Sequence, residues 1–419
     1  MKYFFLFFCW LLTIFTVQAQ QTLLVSTNDN TSRFKIGKWM SFDVFSSTGG
    51  VATYEIRYDK FTPVIKTDTL QLKAGVKRSV LFIHQAPGSV IFKVTKDGVS
   101  NYAGATFDPF DIKVKEEAPE DFDDFWQEAK KELATVPLAA KLSEYSSTNY
   151  STTYRINLGM VDQRKVYGFI SVPKMAGPYS AVLTLPSFGS TEEVVKPTEL
   201  ITEQVGVIAM TISIHNTEPD QRDPKAYQPD DFTDPYSNYY RYAVLAALRS
   251  IDYLFSRSDF NGELALTGVS QGGGLAIMAG GLDDRVDLLV VSNPTHCNHT
   301  GIEYGVASGF PYYLSKVQQS NDYDKISEAV KYYDAVYFAR RYKGPVLAFV
   351  SYEDQVTPTS ATFAAFNDFS GQKIIMHGTT LAHAHSEEYW IGRYDAFRRF
   401  LPSIQGAPWP YARKDKGIQ

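Results

Sequence analysis

Beyond residue 150, short apolar runs alternate with stretches of helical period, a pattern that leaves few architectures open. The runs 181–185, 207–214, 264–267, 288–291, 346–350 and 374–376 are dominated by apolar residues. A strand that is apolar on both faces must be covered on both, and helical patterns at 239–255, 272–280, 359–366 and 387–400 lie between and after the runs to supply that cover. The implied solution is an α/β fold with a mostly parallel sheet between two helical layers. Residues 154–158 and 165–172 read as a hairpin that adds an antiparallel edge.

The preceding part has a different grammar. From residue 21 to about 112 nothing has helical period. Thr53-Tyr-Glu-Ile-Arg-Tyr58 and Ser89-Val-Ile-Phe-Lys-Val94 alternate polar and apolar, with turn signals at Gly49-Gly50, Ala74-Gly75, Pro87-Gly88 and Asp97-Gly98. A small all-β, immunoglobulin-like sandwich over 20–112 accommodates this pattern. That segment holds no nucleophile with a base nearby in sequence, so it is expected to be separable from any chemistry. The change of character falls at 113–119, just before Asp121-Phe-Asp-Asp-Phe-Trp126, where acidic residues open an amphipathic helix. The second domain is therefore placed at 113–419.

Residues 1–19 read as a signal peptide. Lys2 is followed by an almost wholly apolar stretch to Val17, and Val17-Gln18-Ala19 puts small residues where a signal peptidase cuts. Export to the periplasm or the outside, with a mature chain starting near Gln20, is the expectation. Cys9 has no small residue just before it, which argues against a lipoprotein anchor. Loss of Lys2 with the leader takes the formal net charge from −5 to −6, which disfavours nucleic acid as a partner. Only Cys297 would then remain, so no internal disulfide can form and stability rests on core burial. The 27 Tyr and 28 Phe fit a protein that handles sugars, and equally a tyrosine-rich surface without a ligand.

The chemistry concentrates at Leu264-Ala-Leu-Thr-Gly268-Val-Ser270-Gln-Gly-Gly-Gly274. This is a strand, a Gly-x-Ser-x-Gly turn and a helix. Such a turn projects a serine hydroxyl clear of the backbone and aims a helix N-terminus at it. The spacing does not fit the Gly-x-Gly-x-x-Gly of dinucleotide sites. A serine hydroxyl needs a base, and in this arrangement an acid and then a histidine follow the serine in sequence. After the apolar run 346–350 come Glu353 and Asp354. Both qualify by position, and the turn-like Val356-Thr-Pro358 that follows favours Asp354, leaving Glu353 as a solvated loop carboxylate. After the last run, His377 lies too near the strand end, and His383 and His385 both remain. A metal site built on His383-x-His385 is disfavoured, because two histidines do not make one.

These residues resemble the acetyl xylan esterase and cephalosporin-C deacetylase family of α/β-hydrolases. The likeness runs from about 119 to 405 and excludes the β segment. Pro119-Glu-Asp-Phe-Asp-Asp-Phe-Trp126 looks like the family's opening motif. Thr267-Gly-Val-Ser270-Gln-Gly-Gly-Gly274-Leu is similar to its nucleophile turn. Asp354-Gln-Val-Thr-Pro358, with the helix after it, is similar to its acid loop. The resemblance implies an α/β-hydrolase fold and a serine esterase with Ser270, Asp354 and His383 as its triad. His383 falls at the family's spacing from Lys373, although the family's Gly-His-Glu is here Ala382-His383-Ala384, which keeps His385 as an alternative. It also implies an oxyanion hole from the backbone N–H groups of Gln271 and Phe188. Phe188 stands in a Pro186-Ser-Phe-Gly189 turn where the family has His-Gly-Tyr.

The implied reaction removes acetyl groups from xylan fragments or similar acetylated sugars, through an acyl-serine and without metal or organic cofactor. A broader carboxylesterase, a peptidase of the same fold, or a carbohydrate-binding protein on a vestigial hydrolase are the competing readings. Substrate-contacting residues cannot be named from the sequence. Pro294-Thr-His296-Cys297-Asn-His299 stands either as pocket lining or as loop packing. No membrane span is expected, and a homo-oligomer is compatible with the chain.

Overall fold

The computed structural model describes residues 22–189, 195–221 and 232–404. The expected leader and its cleavage point near Ala19 lie outside the described residues. Among those residues no helix is long and apolar enough to cross a membrane.

The N-terminal segment builds eight strands: β1 (Leu23–Thr27), β2 (Arg33–Phe34), β3 (Met40–Ser46), β4 (Gly50–Arg57), β5 (Lys66–Leu72), β6 (Arg78–Phe82), β7 (Gly88–Lys96) and β8 (Val99–Phe107). They form two sheets, β1-β3-β6 and β2-β8-β7-β4-β5. Alternation drives one face of each into a common core in which Phe42 of the first stacks on Phe92 of the second, ring centroids 4.5 Å apart. The edge is split between β1, antiparallel to β3, and β2, parallel to β8, an arrangement of immunoglobulin type. Asp97 and Gly98, both at positive φ, make the two-residue turn between β7 and β8.

Helix α1 (Phe122–Ala134) opens the second part. Phe122, Phe125, Trp126, Ala129 and Leu133 form its buried stripe, and the Trp126 indole N–H donates to the Tyr332 carbonyl. Truncating a buried Trp of this kind costs about 3–5 kcal/mol. The remaining elements are β9 (Lys141–Ser147), β10 (Ser151–Gly159), β11 (Lys165–Pro173), β12 (Tyr179–Leu185), α2 (Glu199–Val205), β13 (Ile208–Ser213), α3 (Tyr239–Phe255), β14 (Phe260–Val269), α4 (Gln271–Leu282) and β15 (Leu288–Ser292). Then come α5 (Tyr313–Lys316), α6 (Tyr323–Lys331), α7 (Ala335–Ala339), β16 (Val346–Ser351), α8 (Thr359–Asp368), β17 (Lys373–Gly378) and α9 (Glu387–Phe400).

All nine strands join one sheet in the order β17-β16-β15-β14-β12-β13-β11-β10-β9. Pairings from β17 through β13 are parallel and the last three are antiparallel, as the hairpin implies. Every residue of β13, β15 and β16 is buried. This is the α/β-hydrolase architecture, and it carries the loops after β12, β14, β15, β16 and β17 to one end of the sheet.

The β module packs directly on the catalytic part, close to the loop that carries Asp354. Gly104 of β8 lies so close to Tyr352, two residues before Asp354, that a Cβ there would overlap the Tyr352 carbonyl. The Ser360 N–H donates to Ser89 Oγ, and Asn367 Nδ2 donates to the Pro109 and Ile112 carbonyls. Backbone contact this close follows from folded geometry between distant segments, which alternation within either segment does not encode.

Candidate active site

Ser270 sits between β14 and α4 at φ 56° and ψ −120°, a strained conformation for a non-glycine residue. Its surroundings over-determine it. The Ser270 N–H donates to the Ser292 carbonyl, and its own carbonyl accepts from Gly274 and Thr295. The bend requires glycine at two positions: a Cβ on Gly268 would strike the Gly272 backbone, and one on Gly272 would strike the Leu185 carbonyl.

Asp354 follows β16 and is wholly buried. Oδ1 accepts from the N–H groups of Val356 and Thr357, at 2.7 and 2.8 Å, so the Val356-Thr-Pro358 turn wraps around the carboxylate. Oδ2 accepts from Thr357 Oγ1 at 2.8 Å and lies 2.7 Å from His383 Nδ1. With Nδ1–H donating to Asp354, the neutral ring leaves Nε2 as an acceptor, the state a general base requires.

His385 makes different contacts. Its ring packs against Tyr389 and Trp390, with centroids 5.3 and 4.7 Å away, and burial followed by the Arg393 charge lowers its pKa. The carbonyl between the two histidines, Ala384, accepts from Asn293 Nδ2 and Ser351 Oγ at 2.9 and 2.6 Å. That pin fixes the loop and directs the two rings to different partners. Ser386 caps α9 through the Tyr389 N–H. His383→Ala is expected to lower kcat on an acetyl ester at least a thousandfold, and His385→Ala less than tenfold; steady-state kinetics on both folded variants checks this ranking.

Glu353 is not the solvated carboxylate expected from sequence. It is half-buried, and desolvation lifts its pKa to about 7. The unfolded chain ionises this group near 4.5, so folding stability is progressively lost as pH rises from about 4.5 to about 7. Glu353→Gln removes that loss. Its unfolding free energy should exceed that of the wild type by on the order of 1–3 kcal/mol at pH 8 and approach it near pH 4.5, as read from denaturant titrations.

The turn 186–189 after β12 is held from several sides. Gln271 opens α4 with a buried side chain whose Nε2 donates to the Pro186 and Ser187 carbonyls and whose Oε1 accepts from the Tyr240 hydroxyl. Ser187 Oγ donates to the Val269 carbonyl. His215, just after β13, donates from Nε2 to the Gly189 carbonyl at 2.7 Å, with the Tyr239 hydroxyl 2.5 Å from its Nδ1. This places Phe188 on a braced turn beside the start of α4. Sequence reasoning missed the Gln271 side chain, His215, Tyr239, Tyr240 and Thr357. Only Thr357 had a local signal, its position in the turn after Asp354.

The 294–299 segment is packed rather than presented to solvent, with His296, Cys297 and His299 at most 1% exposed. Burial holds the pKa of His296 well below the ordinary histidine range and that of His299 down to about 3. Among the described residues no group of His, Cys, Asp and Glu could hold a metal ion.

Comparison with known proteins places this geometry. The sequence profile of the acetyl xylan esterase family matches residues 110–398. The chain belongs to this family. It is an esterase of the α/β-hydrolase fold. It is similar to the acetyl esterase Axe7A of Xylanibacter ruminicola, 26% identical over 363 residues that cover 81% of each chain. Among solved structures, it resembles an acetyl xylan esterase from Paenibacillus sp. R4, with TM-score 0.61 and 25% identity, over 69% of this chain and 98% of that one. Acetyl xylan esterase 1 from Thermoanaerobacterium sp. superposes with TM-score 0.61 at 20% identity, over 71% of this chain and 97% of that one, a likeness of fold. Most of the esterase's β module precedes the matched residues.

Proposed function

We propose that this esterase is an exported serine hydrolase that removes acetyl groups from acetylated sugars of the xylan type. The observation that carries the mechanism is the 2.7 Å contact of His383 Nδ1 with the buried Asp354, in a fold that sets Ser270 on a strained strand-to-helix turn. His383 Nε2 takes the hydroxyl proton as Ser270 Oγ attacks the ester carbonyl carbon. Asp354 holds the ring in the required tautomer and stabilises the imidazolium. The N–H groups of Gln271 and Phe188 receive the oxyanion, and removing one such donor typically costs on the order of a hundredfold or more. The sugar alcohol leaves with the proton held by His383. Water, deprotonated by the same ring, then attacks the acetyl-serine; as the acyl–Oγ bond breaks, the ring returns that proton to Ser270 Oγ and acetate is released. No metal or organic cofactor enters these steps.

The substrate class rests on the family and on the relatives' names. Export rests on the apolar leader and on Val17-Gln18-Ala19. The test is acetate release from acetylated xylan and its oligosaccharides by the purified protein. Turnover of these at or above the rate on long-chain acyl esters and peptides supports the reading. Hydrolysis of the latter without acetate release would replace it with a broader esterase or a peptidase.

A further inference from the structure

Between β4 and β5 the β module sends a loop, residues 58–65, onto the catalytic part. Asp59 is buried there. Its carboxylate accepts from the N–H groups of Phe61 and Thr62, both at 2.7 Å, and from the backbone N–H of Ser308 in the catalytic part. The loop is therefore internally braced and docked at one point. Next to that point Phe61 lies against Tyr312, centroids 4.5 Å apart, with the Lys60 ammonium 5.1 Å from both rings.

Tyr312 itself is buried, and its hydroxyl donates to the Val356 carbonyl at 2.6 Å. The N–H of that same Val356 donates to Asp354. On its other side Tyr312 meets Phe310 at 6.0 Å, and Phe310 meets Phe188 at 5.4 Å. The His296 N–H donates to the Phe310 carbonyl, and the Thr295 N–H to that of Ser270. An aromatic row thus runs from the turn beside the nucleophile to the β module. Its two ends, Phe188 and Phe61, are 49% and 38% exposed, while Phe310 is half-buried and Tyr312 fully buried, so the row offers apolar surface to solvent at both ends.

We propose that this loop is the outer wall of the substrate site, with Phe61 and Lys60 holding the sugar of the acetyl ester. The inference rests on the function proposed above and deepens it. The flat C–H face of a pyranose stacks on an aromatic ring, and an ammonium beside the ring donates to its hydroxyls. An acetate ester of a short alkyl alcohol lacks the ring and the hydroxyls that Phe61 and Lys60 would hold. Phe61 is thus a specificity residue supplied by a module with no part in the bond-breaking steps.

The test compares Phe61→Ala, Phe61→Leu and Phe61→Tyr in the full chain, on acetylated xylo-oligosaccharides and on methyl acetate. The expected result is that the ratio of kcat/KM, oligosaccharide over small ester, falls about tenfold for Ala, mostly through KM, and is restored by Tyr. Phe61→Leu keeps an apolar contact with Tyr312 but removes the flat face, so it shows the same fall even where the Ala variant does not fold. An equal loss on both substrates would reduce the loop to a buttress, and unchanged kcat/KM on both would detach it from the site. Either overturns the inference alone. A wild-type enzyme inactive on the oligosaccharides overturns the proposed function and this inference with it.

Discussion

Ser270→Ala should abolish ester hydrolysis in a protein that still folds, with kcat falling by roughly a million-fold, as for the loss of a triad serine in a well-studied protease. The effect is this large because the hydroxyl is the bond-forming atom and no neighbour takes its place. The variant should fold because the strained backbone at Ser270 is fixed by backbone hydrogen bonds, its N–H donating to Ser292 and its carbonyl accepting from Gly274 and Thr295, that do not involve the side chain. Thermal melting and turnover on one preparation give both numbers. A folded variant that retains a tenth of the activity would remove Ser270 from the mechanism.

Asp354→Asn should lower kcat by about ten-thousandfold on the precedent of a triad aspartate replaced by its amide. The amide keeps the shape of the carboxylate. If its carbonyl oxygen stays with the Val356 and Thr357 N–H groups, its NH₂ faces His383 and forces the proton onto Nε2, the nitrogen that must accept. The loss then appears in kcat with little change in KM. Glu353→Gln should lose less than tenfold, since no contact of the Glu353 carboxylate enters the proposed proton path. A reversed ranking would mean that the other carboxylate serves the base.

The legible parts of this molecule are those whose cause is local. The Gly268–Gly274 turn declares itself because strand, bend and helix lie within a dozen residues; Gly268 answers a clash with the nearby Gly272, whereas Gly272 answers one with the distant Leu185. The helices 239–255 and 387–400 have the observed ends, and Asn238 and Ser386 cap them in the structure. Strand β9 escaped notice because its residues are almost all exposed and it has no apolar alternation to read. Helices α5 and α7 pass as loop because they span only 4 and 5 residues, too few for a period to show.

The choice between His383 and His385 needed a resemblance, because both lie in one loop and the discriminating atoms belong to Asp354, Asn293 and Ser351. The docking of the β module through Gly104, Asp59 and Phe61 left no trace in either segment's own pattern. Neither did the bracing of the 186–189 turn by Gln271 and His215, where each partner is ordinary in its own context. Tertiary contact between distant segments accounts for all of these.

The central claim is that Ser270 is the group acylated in turnover, and the most direct measurement is peptide mass spectrometry after treatment with a fluorophosphonate, which forms a stable adduct only on an activated serine. One adduct per chain is expected, on the peptide containing Ser270, formed in step with loss of esterase activity and slowed by acetylated xylo-oligosaccharide. An adduct on another residue, or complete inactivation with Ser270 unmodified, would contradict the account.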